Sequence, residues 1–235
     1  MGRKKIVNYV KSNSRPTGKH LPEYNFGSFQ VFIQDPLPEH IDIKKIFSEI
    51  ENVIPEHLLE LLDVIYIGDF SFLRERDINA MYADGAIYIL NEQDDNDDLK
   101  DDIVHELSHA VDEQYGDFLY ADGLLEDEFL LKRNKLRRIL SHQGYDISKY
   151  DFYNPDYDQE FDEFLYSEVG YDALRIMTSD MFTGAYAATS LREYVARCFE
   201  EYYLGNRVYL RDICPYVYKK LSALEKMSPE DEYAN

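Results

Sequence analysis

The sequence predicts an α+β fold, with a small mixed β-sheet followed by a mainly helical C-terminal half. Short apolar runs of strand length end before residue 91, and two of them flank the tight-turn dipeptide Asp84-Gly85. From residue 96 onward, apolar residues instead recur at helical spacing.

Gln30-Val31-Phe32-Ile33 reads as a strand, closed by the turn-forming Asp35-Pro36-Leu37-Pro38. Ile43, Ile46, Phe47 and Ile50 mark one face of a helix, and Pro55 suits the first turn of a second, short helix through Leu62. Val64-Ile65-Tyr66-Ile67 before Gly68 is a buried strand. Asn79 to Ala83 and Ala86 to Leu90 form a hairpin, so the sheet holds at least one antiparallel pair.

The acidic run Asp94 to Asp102 leads into the next helix, where carboxylates suit the N-terminal end of the macrodipole. Its spacing does not match an EF-hand loop. Further on, Leu124 to His142 reads as a helix stopped by Gly144, and Gln159 to Met177 as another. Tyr145, Tyr150, Phe152, Tyr153, Tyr157, Phe161 and Tyr166 interleave with acids as packing residues. The tract from about 117 to 180 carries no ligand cluster and reads as an inserted helical lobe.

A chain of 235 residues suffices for one well-buried domain, and the expectation is a basic arm over 1–20 and a single domain over 21–235. Lys+Arg 25 against Asp+Glu 46 gives a net charge of −21, which disfavours nucleic acid and anionic membrane as partners and steers basic peptides. The arm carries Arg3, Lys4, Lys5, Lys11, Arg15 and Lys19 without an acid. Three fates are open to it: folding back on the anionic body, docking on a protein partner as the inserted lobe also could, or staying disordered. Cys198 and Cys214 alone make no disulfide framework. With no signal-like apolar region and no membrane-spanning run, the expected location is cytoplasmic or otherwise non-classical.

The chemistry concentrates in His105-Glu106-Leu107-Ser108-His109, an HExxH run. Imidazoles four apart on a helix lie one turn above each other, so both reach one metal ion with Glu106 beside them. Ile103, Val104, Leu107, Ala110 and Val111 form the apolar back of that helix, roughly opposite His105, His109 and Asp112. Zinc in hydrolases takes three protein ligands and leaves the fourth position to water. A third ligand is therefore required.

Gly and His at positions 112 and 115 would mark a metzincin, but Asp112 and Tyr115 stand there. Asp112 shares the histidine face and is one candidate. Another is Glu193, in a helix opening at Leu191 whose apolar stripe is Leu191, Tyr194, Val195, Cys198, Phe199 and Tyr202. The small Ala196 on the other side admits a close neighbour. Two ordinary roles compete for Glu193: the capping box Ser190-Leu191-Arg192-Glu193, and an ion pair with Arg197 four residues on.

His105 to Glu113, followed by Tyr186 and Glu193-Tyr194-Val195-Ala196, resembles the catalytic domain of anthrax lethal factor and the related Pro-Pro endopeptidases. The resemblance covers about 102–113 and 186–203. It implies a zincin-like fold with an HExxH helix packed on the sheet, Glu193 as third zinc ligand, and Tyr186 as a catalytic tyrosine. Arg197 departs from the pattern, since the toxin family carries a second glutamate there.

The expected activity is a Zn2+-dependent endopeptidase acting on a peptide or protein substrate. His105, His109 and Glu193 would hold the metal, Glu106 would act as the base, and Tyr186 would stabilise the oxyanion. Asp112 would orient a ligand histidine from behind. One hairpin strand would pair with an extended substrate, and the sequence leaves open which. The competing expectation is a catalytically weakened or inactive zincin-fold binding or structural module, favoured by Arg197 and the long lobe.

Overall fold

The computed structural model describes residues 23–26 and 29–227, so the basic arm lies outside the described residues. The described chain divides into two compact units, one ending at Val111 and the other beginning at Asp112. Mixed α and β structure follows the order expected of an α+β chain.

The first unit is built on a five-stranded mixed sheet in the order β1-β2-β3-β5-β4. Its strands are β1 (Glu23–Phe26), β2 (Phe29–Ile33), β3 (Val64–Gly68), β4 (Ala80–Ala83) and β5 (Ala86–Leu90). β2, β3 and β5 are parallel, while β1 and β4 run antiparallel on the two margins. The run before residue 29 did not read as a strand, because β1 contributes four residues with no period of their own.

Side chains alternate across a sheet. Val31, Ile33, Ile65, Ile67, Ile87 and Ile89 line one face and are almost wholly buried. On the other face the rings of Phe32, Tyr66 and Tyr88 stack at 5.6 and 5.3 Å, and Phe70, Phe72 and Leu73 cover part of that row. Helix α1 (Ile43–Val53) buries Ile43, Ile46, Phe47 and Ile50, the four residues its spacing singled out, and Phe47 packs on Phe29 at 5.4 Å. Asp42 caps it through Lys45 N–H at 3.1 Å. α2 (Glu56–Leu59) is shorter than expected, and α3 (Ser71–Arg74) is a single turn that gave no sequence signal.

The β4–β5 hairpin turns at Asp84 (φ 50°) and Gly85 (φ 79°), the two left-handed residues a tight hairpin needs. A Cβ at Gly85 would come within 2.7 Å of Asp63 Oδ2, so this position demands glycine for space as well.

α4 (Asn96–Tyr120) begins in the acidic run, where Asp95 Oδ1 accepts from Asp97 N–H at 2.8 Å and from Asp98 N–H at 2.9 Å. The run is thus a helix start. Lys100 reaches Glu49 of α1 at 2.9 Å, and Asn96 Oδ1 accepts from Asp42 N–H at 2.8 Å. Leu99, Ile103, Val104, Leu107, Ala110 and Val111 are all buried. Tyr115 departs from helical geometry at φ −110°, ψ 18°.

The second unit is helical: α5 (Leu124–Gln143), α6 (Gln159–Glu163), α7 (Tyr171–Thr178), α8 (Leu191–Tyr203), α9 (Arg207–Ile213) and α10 (Pro215–Leu224). α5 ends at left-handed Gly144, as its sequence predicts. The single helix expected over 159–177 is instead broken. A π-type turn over Phe164–Val169 follows α6, and Gly170 at φ 83° prevents continuation into α7.

Arg133 is the organiser of this lobe. It lies on α5 yet is only 1% exposed, with its guanidinium 4.1 Å from the Phe161 ring. It donates to the backbone carbonyls of Asn154 at 2.9 Å, Asp151 at 3.1 Å and Thr189 at 3.5 Å. Leu191 N–H in turn donates to Pro155 O at 2.8 Å. The loop after α5 is therefore bonded to the segment that starts α8. Burial pulls the Arg133 pKa down to about 10, which leaves it charged at neutral pH.

Among the described residues, no helix is long and apolar enough to cross a membrane. Arg133→Leu keeps most of the packing but removes the donors to three carbonyls. It is expected to destabilise the fold by about 2–4 kcal/mol in urea unfolding, with Arg133→Lys recovering less than half, because an ammonium lacks the planar fork.

Candidate metal centre

Helical phase alone puts His105 and His109 one turn apart on α4, and their rings lie 5.0 Å apart, nearly perpendicular at 89°. His109 is buried and His105 half-buried. The burial of Ile103, Val104, Leu107, Ala110 and Val111 holds the helix in the rotation that the sequence requires.

Glu106 is 8% exposed, and its Oε2 accepts a 2.6 Å hydrogen bond from the backbone N–H of Tyr82. Leu90 N–H donates to Asn79 O at 2.8 Å across the hairpin, and alternation along β4 then turns the backbone groups of Ala80 and Tyr82 outward. β4 is the outer strand and β5 lies inside the sheet, which settles which hairpin strand offers an edge.

α8 begins at Ser190, whose Oγ accepts from Glu193 N–H at 3.2 Å. The cap forms as the sequence suggests, and it engages the backbone of Glu193. The side chain goes elsewhere. Among the described residues, His105, His109 and Glu193 make the one group suited to a metal ion, each offering a ligand atom within 4.8 Å of the others.

Two imidazole nitrogens and one carboxylate oxygen are the donor set of open, three-ligand zinc sites. Calcium and magnesium favour sites made of oxygen alone, so this set fits a transition metal better. Arg197 forms an ion pair with Glu200, three residues on, rather than with Glu193. Its guanidinium also lies against Gly184, where an added Cβ would come within 3.3 Å of Nε. Ala196, whose small side chain was expected to admit a close neighbour, is buried, and so is Glu200 one turn on.

Asp112 accepts a hydrogen bond from the Tyr120 hydroxyl and pairs with Arg192 Nε at 3.5 Å. It thereby touches the residue before Glu193. Burial, and then the charge of Asp112, raise the Tyr120 pKa, so that hydroxyl keeps its proton to bond. Tyr186 opens a short 3-10 turn over Tyr186–Ala188 and is half-buried, its ring 6.3 Å from that of Tyr171. The Tyr171 hydroxyl donates to Asp162 Oδ1 at 2.6 Å.

Two contributors escaped the sequence reading. Tyr82 acts through its backbone N–H, which leaves no side-chain signal. Asp102 did carry one, standing three residues before His105 and four before Glu106 on the same helix face. Burial lifts its carboxyl to about 7, with the charges of Asp98 and Glu106 adding to the rise while Gln93 Nε2, 3.3 Å away, and His105 oppose it.

The chain matches no family model, no curated protein and no solved structure.

The Asp102 carboxyl holds its proton in the folded chain well above the value of about 3.9 it has when unfolded. Protonation thus favours folding between these values, and stability falls as pH rises from about 4 to about 7. Asp102→Asn should remove this slope, making the metal-free protein more stable than the unsubstituted chain by about 1–3 kcal/mol at pH 8 and little different at pH 4, as read from urea unfolding at both pH values.

Proposed function

We propose that this chain is a zinc-dependent endopeptidase of the zincin class, similar to the lethal factor catalytic domain and the Pro-Pro endopeptidases. The observation that carries the reading is the grouping of His105, His109 and Glu193 within 4.8 Å, beside a glutamate already oriented on the same helix.

Zinc bound by these three side chains would lower the pKa of water towards neutrality and polarise the scissile carbonyl. The remaining work belongs to the chain. Tyr82 N–H holds Glu106 Oε2, which orients the carboxylate so that Oε1 takes the proton of the attacking water and delivers it to the leaving amine. Tyr186, seven residues before Glu193, is assigned the oxyanion through its hydroxyl, with Tyr171 beside its ring. Arg192, tied to Asp112, steadies the first turn of α8 and so the Glu193 side chain.

The substrate would lie extended along β4, pairing with the outward N–H and carbonyl of Ala80 and the carbonyl of Tyr82, whose N–H is kept for Glu106. Extended pairing reads main-chain amides, so it suits a peptide of unstructured or loop origin.

The purified chain should take up one zinc per molecule, as measured by elemental analysis after dialysis. Glu193→Ala should reduce that occupancy by at least tenfold at limiting zinc. Glu106→Gln should keep the metal while lowering cleavage of a peptide library by about 10²–10⁴-fold. Full zinc with no cleavage by the unsubstituted chain would favour a zincin-fold binding module instead. For the substrate edge, Ala80→Pro deletes an outward N–H at a position where an edge strand accommodates proline. It should cut kcat/KM by about tenfold with zinc content unchanged, consistent with loss of one hydrogen bond.

A further inference from the structure

Tyr186 is carried by a stretch of chain that is fastened to α8 on both sides of it. Before it, the Phe182 ring meets the Tyr194 ring edge to face at 5.9 Å, and the backbone at Gly184 passes against the Arg197 guanidinium. After it, Thr189 holds the Tyr186 carbonyl twice, donating from its N–H at 3.0 Å and from its hydroxyl at 2.8 Å. Thr189 is wholly buried and leads straight into Ser190, the cap of α8. Ala185, Ala187 and Ala188, all small and all buried, let the turn pack this closely.

The contact at Gly184 differs from the others, because its partner is a charged side chain with a fixed place on α8. Arg197 stands one helical turn after Glu193, so the two share a face of the helix. Its ion pair with Glu200, a carboxylate only 6% exposed, holds the guanidinium, since moving it would take from that buried group its cation. A Cβ built on Gly184 would stand 3.3 Å from Arg197 Nε and 3.4 Å from Nη2. Any side chain at 184 therefore has to displace either the guanidinium or the turn. A planar guanidinium offers bare backbone a flat face to lie on, which an ammonium does not.

We propose that Arg197 is a positioning residue for Tyr186, its guanidinium, clamped by Glu200, being the surface that sets how far the turn at 186 stands from the helix that carries Glu193. The catalytic consequence rests on the peptidase reading, while the clamp itself does not. An oxyanion donor is effective only when it is fixed where charge develops, so a shift well under 1 Å weakens it. Arg197 acts through the turn and not on the reacting atoms. The one residue that departs from the resemblance thus has a role of its own in this chain.

The clamp is read first from fluorine NMR of the full-length, metal-free chain labelled with fluorotyrosine, in which the resonance lost on Tyr186→Phe belongs to Tyr186. Gly184→Ala should shift that resonance, and should leave it in place in an Arg197→Ala background, where the added methyl no longer meets the guanidinium. If Arg197→Ala fails to fold because Glu200 has lost its cation, Arg197→Ala combined with Glu200→Leu removes both charges and serves as the background. A Tyr186 resonance that ignores Gly184→Ala, or that shifts equally in both backgrounds, overturns the proposal. With zinc bound and a cleavable peptide as substrate, Gly184→Ala should lower kcat by about tenfold while KM and zinc content hold. In a Tyr186→Phe background the same substitution should change kcat by less than about twofold, since the hydroxyl it displaces is gone. An equal loss of kcat with and without that hydroxyl overturns the role in positioning. An unsubstituted chain that holds zinc and cleaves nothing counts against the peptidase reading, and the NMR comparison still decides the clamp.

Discussion

The hydrogen bond from Tyr82 N–H to Glu106 is the constraint on which the first unit's geometry depends. A carboxylate that is only 8% exposed is costly to bury unless its oxygens are bonded, and here the donor is an outward-facing amide of the sheet's last strand. The bond joins helix to sheet at the residue between the two histidines, so the rotation of α4 is held from its polar side as firmly as from its apolar side. A one-residue slip of β4 would turn the Tyr82 amide inward and remove the donor. The left-handed pair Asp84 and Gly85 prevents that slip by fixing the length of the hairpin turn.

The second unit meets a different demand, to start α8 so that residue 193 lies in its first turn. Ser190 defines the start chemically by capping Glu193 N–H, and the surrounding loop defines it in space. Arg133 binds the carbonyls of Asp151, Asn154 and Thr189, and Pro155 O accepts from Leu191 N–H. The long lobe is thus more than a decoration. Its loop is bonded backbone to backbone with the entrance to α8, and a buried cation is the joint.

Buried polar groups recur in this lobe as organised networks. Arg133 spreads its charge over aromatic faces and carbonyl dipoles, while Lys132, its neighbour in sequence, is matched by Glu128 and Cys214. Neighbours on a helix point about 100° apart, so one turn of α5 serves two separate clusters. Arg197 follows the same pattern on α8, its charge met by the largely buried Glu200. The residue that seemed to compete for Glu193 is engaged one turn further along.

Much of the architecture was present in local pattern. The buried face of α1, the hairpin at Asp84-Gly85, the strands β3 and β5, the Ser190 cap and the Gly144 stop each follow from a few neighbouring residues, because period, turn chemistry and capping act over one or two turns. Strand β1 and the break at Gly170 did not, the first because pairing with β2 makes it a strand, the second because glycine is tolerated in many helices. At the centre, the sequence by itself determined that His105, Glu106 and His109 share one helical face, since helix geometry leaves no alternative. Only the tertiary structure decided that Glu193 joins them, that Arg197 turns to Glu200, and that Tyr82 anchors Glu106. These last three relations link residues by folded proximity and side-chain direction, and sequence spacing carries no record of either.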